Sequence, residues 1–157
     1  MIKERQPTVS EQRKRAEKEA NRLKNEGESL CPIKVTSKKM AHTFWGKAWC
    51  ANLERHHDYE SRLPRGRSYA KNGCIIDLKI EEGKISSRVM GSELYDAEIR
   101  LETLSKERWM QIVELCSGQV SSVLDLLSGN LSDETMAILT DETTGLFPDP
   151  SEINMSC

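Results

Sequence analysis

Two groups of side chains in this sequence have the chemistry for a functional site: a cysteine with nearby histidines, and a run of cations. Cys50 precedes His57 by seven residues, so on a helix the thiol and the imidazole share a face. Such a pair is typical of a nucleophile with its base, or of two zinc ligands. A zinc site needs four ligands, usually in short-spaced pairs, and His42 and His56 add only an irregular set. We expect surface histidines after a core cysteine here.

The run RLPRGRSYAKNG at residues 62–73 is the stronger candidate, because it carries four cations and no acid. Guanidinium groups bind phosphate oxygens in a bidentate manner, and a tyrosine ring stacks on a nucleic-acid base. Lysines precede the run and are expected to share its face. The candidate nucleic-acid-binding residues are Lys47, Arg62, Arg65, Arg67 and Lys71.

An ordinary solvated turn is the alternative for this run. Pro64, Gly66 and Gly73 disfavour a regular helix, so the sequence predicts a basic loop. In that alternative some of the arginines pair with Asp77 or Glu98 instead of phosphate, and the tyrosine of the run packs beneath the turn.

The charge of the chain is unevenly placed. Its 157 residues carry a formal net charge of −2, yet residues 31–71 hold nine basic and three acidic side chains. Residues 131–157 hold six acidic side chains and no basic one. The basic middle favours a nucleic-acid partner, whereas the acidic tail favours a protein partner.

Several classes of protein are disfavoured by the sequence. No apolar run is long enough to span a membrane, and the first residues do not resemble a signal peptide, so we expect a cytoplasmic protein without a membrane partner. Five scattered cysteines without a CxxC motif disfavour a disulfide framework. The motifs GxxxxGK[ST], GxGxxG and GxSxG do not occur, and we predict no enzymatic activity.

The N-terminal region is predicted to be a helix. Thr8 and Glu11 form a capping box, and the helix runs from about residue 9 to about residue 26. Its apolar stripe is thin, so we expect residues 1–30 to be a solvated, charged helical arm. A second helix, FWGKAWCANLERHH, begins after Thr43 and carries apolar side chains at helical spacing, which predicts a core helix.

The remaining pattern predicts an α+β domain over residues 31–157. Residues 74–101 alternate with a period of two between short turns, which predicts a three-stranded antiparallel meander. Ser105 and Ser132 are N-cap candidates for two helices, and QVSSVLDLLSG at 119–129 is a third helical pattern. The first of these helices is expected to turn Trp109, Ile112, Val113 and Cys116 inward. The last segment, GLFPDPSEINMSC, is expected to be a loop.

Five segments resemble, in order and spacing, the prokaryotic SWIM zinc-finger proteins: FWGKAWCANLE, RLPRGRSYAKNG with IDLKIEEGKI, MGSELYDAEIRL, LSKERWMQIVELCSG and GLFPDPSEINMSC. The similarity covers roughly residues 42–157. In that family this region precedes a C-x-C…C-x-H finger that binds DNA or protein, and members are associated with helicase-like remodelling ATPases. By this resemblance Cys157 is the first metal ligand of an incomplete site. One thiolate does not hold structural zinc, so no cofactor is expected without the rest of the finger.

The sequence therefore predicts a non-enzymatic binding module, the N-terminal part of a SWIM zinc-finger protein, that contacts nucleic acid through its basic loop. The alternative is a protein-interaction scaffold that docks on a helicase-like ATPase through the charged N-terminal helix or the acidic tail.

Overall fold

The computed structural model describes residues 7–33, 35–55, 62–118 and 131–156, and its fold is α+β, as the sequence predicts. The α-helices described are α1 (Val9–Asn25), α2 (Phe44–Glu54), α3 (Leu63–Lys71), α4 (Lys106–Cys116) and α5 (Asp133–Leu139). The strands are β1 (Ile75–Glu81), β2 (Lys84–Met90), β3 (Leu94–Leu101) and β4 (Ile153–Ser156). None of the helices in these ranges is long and apolar enough to cross a membrane.

The chain divides into two compact units. The first contains Met1–Met40, Asp58–Leu101 and Ile153–Cys157, and the second contains Ala41–His57 and Glu102–Glu152. The predicted helix over 119–129 lies outside the described residues.

The N-terminal helix α1 begins at the predicted capping box. The backbone N–H of Glu11 donates to Thr8 Oγ1 over 3.3 Å, and the N–H of Thr8 donates to Glu11 Oε2 over 2.6 Å. The helix is not the solvated arm expected from its thin apolar stripe. Ala16 and Leu23 are buried in one cluster with residues of the sheet, because they lie with Ala20 at helical spacing on one face of α1.

The sheet is antiparallel, with the strand order β1-β2-β3-β4. The predicted meander forms its first three strands. The expectation that the last segment is a loop is wrong, since residues 153–156 pair with β3 and Ile153 lies opposite Leu101. Ile153 is also buried, so this pairing encloses an apolar side chain as well as adding backbone hydrogen bonds.

The core of the first unit lies between α1 and one end of the sheet. Ile76 and Met90 are buried there with the two side chains of α1. The register of β1 shifts between Ile75 and Asp77, so that adjacent side chains, Ile76 and Asp77, are both buried. Asp77 Oδ1 accepts a hydrogen bond from the backbone N–H of Cys31 over 2.9 Å, which satisfies the buried carboxylate.

The basic run is not the predicted loop. Residues 63–71 form helix α3, because Pro64 falls in its first turn, where a backbone N–H has no helical acceptor. Gly66 is accommodated within the helix at a modest cost. Gly73 follows the helix with φ +68°, which a residue without a side chain adopts at little cost, and the chain then enters β1.

The second unit contains the predicted N-caps. The hydroxyls of Thr43, Ser105 and Ser132 accept from backbone N–H groups three residues later. Burial is less than the pattern predicts: Phe44, Trp109 and Val113 are each about half exposed, and Ile112 is the buried residue of α4. Phe147 supplies part of this core, since its ring lies edge-on to Trp49 with centroids 5.1 Å apart.

Candidate nucleic-acid interface

Helix α3 separates its cations onto two faces. With about 100° of rotation per residue, Arg62, Arg65 and Tyr69 lie within about 60° of one another around the helix axis. Arg62 is the N-cap residue, but its φ of −91° and ψ of −35° are helical, so it continues this face. Arg67 and Lys71 lie on the other side, about 140° and 180° from Arg62.

One face of α3 forms a wall of a cleft within the first unit. The cleft has a volume of about 480 Å³. Its other walls come from the start of α1 and from strands β2 and β3. The lining residues are Pro7, Gln12, Arg62, Arg65, Gly66, Tyr69, Val89, Ser92, Tyr95 and Ala97. None of these is acidic, so nothing in the described lining neutralises its two arginines.

The arginines of the cleft differ from the other described arginines in having no partner among the residues that the structure describes. Most of the others form an ion pair or a hydrogen bond, as Arg88 does with Glu28 at 2.5 Å and Arg108 with the Gly145 carbonyl at 2.9 Å. The same holds for Arg13, Arg15, Arg22, Arg55 and Arg100, and Arg67 is not free either. Of the arginines within the described ranges, Arg62 and Arg65 alone have no described partner, and both are exposed to solvent.

Two half-buried tyrosines line the same cleft. The hydroxyls of Tyr95 and Ser92 are hydrogen-bonded at 2.6 Å, which fixes the direction of the Tyr95 ring. The Tyr69 hydroxyl has no hydrogen-bond partner among the described residues. Both tyrosines converge on Gly91, where a Cβ would lie 2.8 Å from Tyr95 Cε2 and 3.0 Å from the Tyr69 hydroxyl oxygen. The absence of a side chain at Gly91 therefore leaves room for the Tyr69 hydroxyl and the edge of the Tyr95 ring to approach the same point.

Gly66 keeps the α3 side of the cleft open. It lies between Arg62 and Tyr69 on the same helical face, and a Cβ built there meets no atom within 4 Å. A ligand can therefore approach the helix backbone between the guanidinium and the ring.

The predicted nucleic-acid-binding residues do not form one group. Arg62 and Arg65 share the cleft, whereas Lys71 lines a different one of about 450 Å³, together with Arg13 and mainly apolar side chains. Lys47 lies on α2 in the second unit. Of the residues that line the cleft, the sequence indicated the arginines and Tyr69 as candidates for binding and Gly66 as a helix breaker, and it indicated no role for Ser92 and Tyr95. Placing residues 62–71 on a helix, with about 100° of rotation per residue, separates the cations onto two faces.

Among the described residues, Asp77 and Glu98 pair with cations outside the basic run, and not with Arg62 or Arg65. Asp77 lies 3.6 Å from Lys79 Nζ and accepts from the Cys31 N–H. Glu98 pairs with Lys84 and Arg100, and its hydrogen bonds with these two side chains hold its pKa below the ordinary value. These carboxylates therefore leave the cleft arginines available for an external anion.

The cysteine and histidine candidates are described only in part. Cys50 is half-buried on α2, while His56, His57 and Cys157 lie outside the described residues. In the part of the chain that the structure describes, no three His, Cys, Asp or Glu side chains are grouped as metal ligands would be.

Comparison with known proteins finds a distant relative of this chain. The chain is 28% identical over 121 residues to a protein of Mycobacterium tuberculosis (strain ATCC 25618 / H37Rv) described as "Uncharacterized protein Rv2102". The match covers 75% of this chain and 43% of that protein, so the chain spans less than half the length of this relative. No family model and no solved structure matches the chain. Membership of the SWIM zinc-finger family therefore stays a prediction from the sequence.

Proposed function

We propose that this chain is a non-enzymatic nucleic-acid-binding module, whose contact with phosphate is made by Arg62 and Arg65 in the cleft beside α3. The observation that carries the proposal is that these two guanidinium groups have no partner among the described residues and share a cleft whose described lining contains no carboxylate. Two cations one turn apart attract the closely spaced phosphates of a nucleic acid, and release of counterions drives the association.

The proposal depends on two of the five candidate residues that the sequence indicated. Arg67 and Lys71 point away from the cleft face, and Lys47 belongs to the other unit. Loss of Arg62 or Arg65 is therefore expected to weaken binding more than loss of Lys71, although each substitution removes one positive charge.

The test is fluorescence polarisation of labelled oligonucleotides, measured with the wild type, Arg65→Gln and Lys71→Gln. Lys71→Gln is the matched control, because it removes the same charge from the opposite side of the same helix. We expect Arg65→Gln to weaken binding about tenfold and Lys71→Gln to weaken it less than about threefold. We also expect Arg65→Gln to make the plot of log K against log salt shallower by roughly 0.7–0.9, as for the loss of one phosphate contact.

The proposal is wrong if the wild type binds neither DNA nor RNA at low salt. It is also wrong about the site if the two substitutions weaken binding equally. Thermal unfolding of each variant, followed by circular dichroism, shows whether a loss of binding is a loss of fold.

Docking on a helicase-like ATPase through α1 stays a prediction from the sequence. Several outward charges of α1 pair within the helix, as Arg13 does with Glu17 and Arg22 with Glu19 and Glu26. These side chains are therefore engaged within the helix, whereas Arg62 and Arg65 of α3 have no partner among the described residues.

A further inference from the structure

Described residues of the first unit line three clefts that we compare, and the one beside α3 combines aromatic rings with cations that have no described partner. The cleft lined by Lys71 is mainly apolar. The third cleft lies across the strands and mixes both signs of charge, since Asp77, Lys79, Arg88 and Glu98 line it together. Its charges are matched there, as in the pair between Lys79 and Asp77. The cleft beside α3 is therefore the one suited to a ligand that carries both an anion and an aromatic ring.

We propose that this cleft binds one unpaired nucleotide of a single-stranded nucleic acid, with its phosphate on Arg62 and Arg65 and its base against Tyr69 and Tyr95. This inference rests on the proposed function, and it adds that the preferred ligand is a single strand rather than a duplex.

The dimensions of the cleft fit one nucleotide. Its volume of about 480 Å³ lies within the range of roughly 300–1,000 Å³ typical of small-ligand sites. The arginines and Tyr69 follow one another along one face of α3, and Tyr95 closes the side formed by the sheet. A nucleotide has the same two parts in one molecule, a phosphate and a flat ring.

The position of the tyrosines discriminates against a duplex. Both are half-buried, and the pair converges on Gly91 at the turn between β2 and β3. In a duplex the bases are stacked on one another and their flat faces are covered, so the duplex offers only its phosphates to Arg62 and Arg65. An unpaired base is free to leave the stack and lie against an aromatic side chain.

The open space at Gly66 allows a steric test that preserves every charge. Because a Cβ at this position meets no atom within 4 Å, Gly66→Leu is expected to fold while its side chain fills the cleft between Arg62 and Tyr69. A purely electrostatic contact on the helix surface would tolerate this change, whereas a nucleotide inside the cleft would be displaced.

The experiment compares single-stranded and duplex oligonucleotides of one length, as DNA and as RNA, at fixed salt. We expect the wild type to bind a dT12 strand at least about tenfold more tightly than the duplex. Tyr69→Leu is expected to weaken single-strand binding about 5- to 100-fold, which corresponds to the loss of one stacked base, and to leave duplex binding within about twofold. Gly66→Leu is also expected to weaken single-strand binding more than duplex binding. The DNA and RNA arms show which single strand is preferred.

Tyr69→Phe is the matched control, because it keeps the ring and removes a hydroxyl that has no partner among the described residues. It is expected to bind the single strand within about twofold of the wild type. Equal binding of strand and duplex, or equal losses for both with Tyr69→Leu, overturns the single-strand inference while the proposed nucleic-acid contact stands. If neither form of nucleic acid binds, both proposals fail together.

A second measurement places the base directly. A strand that carries 5-bromouracil is cross-linked to the wild type by ultraviolet light, and the modified peptide is identified by mass spectrometry. A cross-link at Tyr69 or Tyr95 supports the cleft, and a cross-link confined to α2 or α4 overturns it.

Discussion

Gly91 and Tyr95 are in such close contact that a methyl group on Gly91 would lie 2.8 Å from Cε2 of Tyr95. The Tyr69 hydroxyl approaches the same point from α3, at 3.0 Å. Two tyrosines that are 26 residues apart in the chain thus approach the turn between β2 and β3 at the same glycine.

Gly91→Ala tests this contact. The added methyl group has to displace the Tyr95 ring, and overpacking of this kind costs about 1–3 kcal/mol. We expect a lower urea midpoint and weaker binding of a single strand, since one wall of the cleft moves. Gly66→Ala is the control for the urea midpoint alone, because the same methyl group meets open space on the other side of the cleft. An unchanged midpoint for Gly91→Ala would contradict the close contact of the two residues.

Gly66→Ala is itself a prediction about stability. Gly66 lies inside α3 with no unusual φ, so alanine gains helix propensity without strain. We expect an increase of about 0.5–1 kcal/mol in the free energy of unfolding, measured by urea denaturation. A decrease would indicate that residues 63–71 do not form the helix.

Asp77 is predicted to stabilise the edge of the sheet. Its carboxylate accepts from the Cys31 N–H, and the Cys31 carbonyl in turn accepts from the Leu78 N–H over 2.9 Å. Asp77→Ala leaves the Cys31 N–H without its acceptor, which we expect to cost about 1–3 kcal/mol in urea denaturation. Asp77→Asn keeps an oxygen at this position and is expected to cost less. Hydrogen exchange of the Cys31 amide should be faster in the alanine variant, and unchanged exchange would argue against the bond.

The carboxylate of Asp141 is predicted to make stability depend on pH. Its Oδ1 accepts from the backbone N–H and the hydroxyl of Thr144, each over 2.8 Å, and from the N–H of Thr143 over 2.9 Å. These hydrogen bonds, led by the one from the Thr144 backbone, lower the pKa of Asp141 below its ordinary value. The stabilisation is therefore complete above the pKa of the unfolded carboxyl and is lost as the pH falls through the lower pKa of the folded protein.

The measurement is urea denaturation of the wild type and Asp141→Asn between about pH 7 and pH 2.5, a range that spans the ordinary carboxyl pKa of about 4. We expect the wild type to be the more stable protein at neutral pH and the difference to shrink in acid. A difference that is constant over this range would show that the folded pKa is not lowered.

Local signals in the sequence predicted the beginnings of the helices. A capping hydroxyl and the N–H that it accepts lie three residues apart, so the caps at Thr8, Thr43, Ser105 and Ser132 depend on neighbouring residues alone. The meander was predictable for the same reason, since its strands follow one another with short turns.

Local signals failed where one residue type permits two structures. Pro64 and Gly66 indicated a break, yet a proline in the first turn of a helix disrupts no hydrogen bond. Whether residues 63–71 form a turn or a helix determines which cations share a face, and therefore which of them line the cleft.

The sequence by itself determined the α+β class, the caps, the meander and the arginines that are candidates for binding. The tertiary structure decided that β4 pairs with β3, that α1 packs on the sheet, and that Arg65 and Tyr95 line one cleft. These relationships join residues 30 or more positions apart, and their geometry depends on helix rotation, strand register and burial together. A short stretch of sequence determines none of these three features. Composition and spacing therefore identify the cations, and only the packed structure identifies the residues beside them.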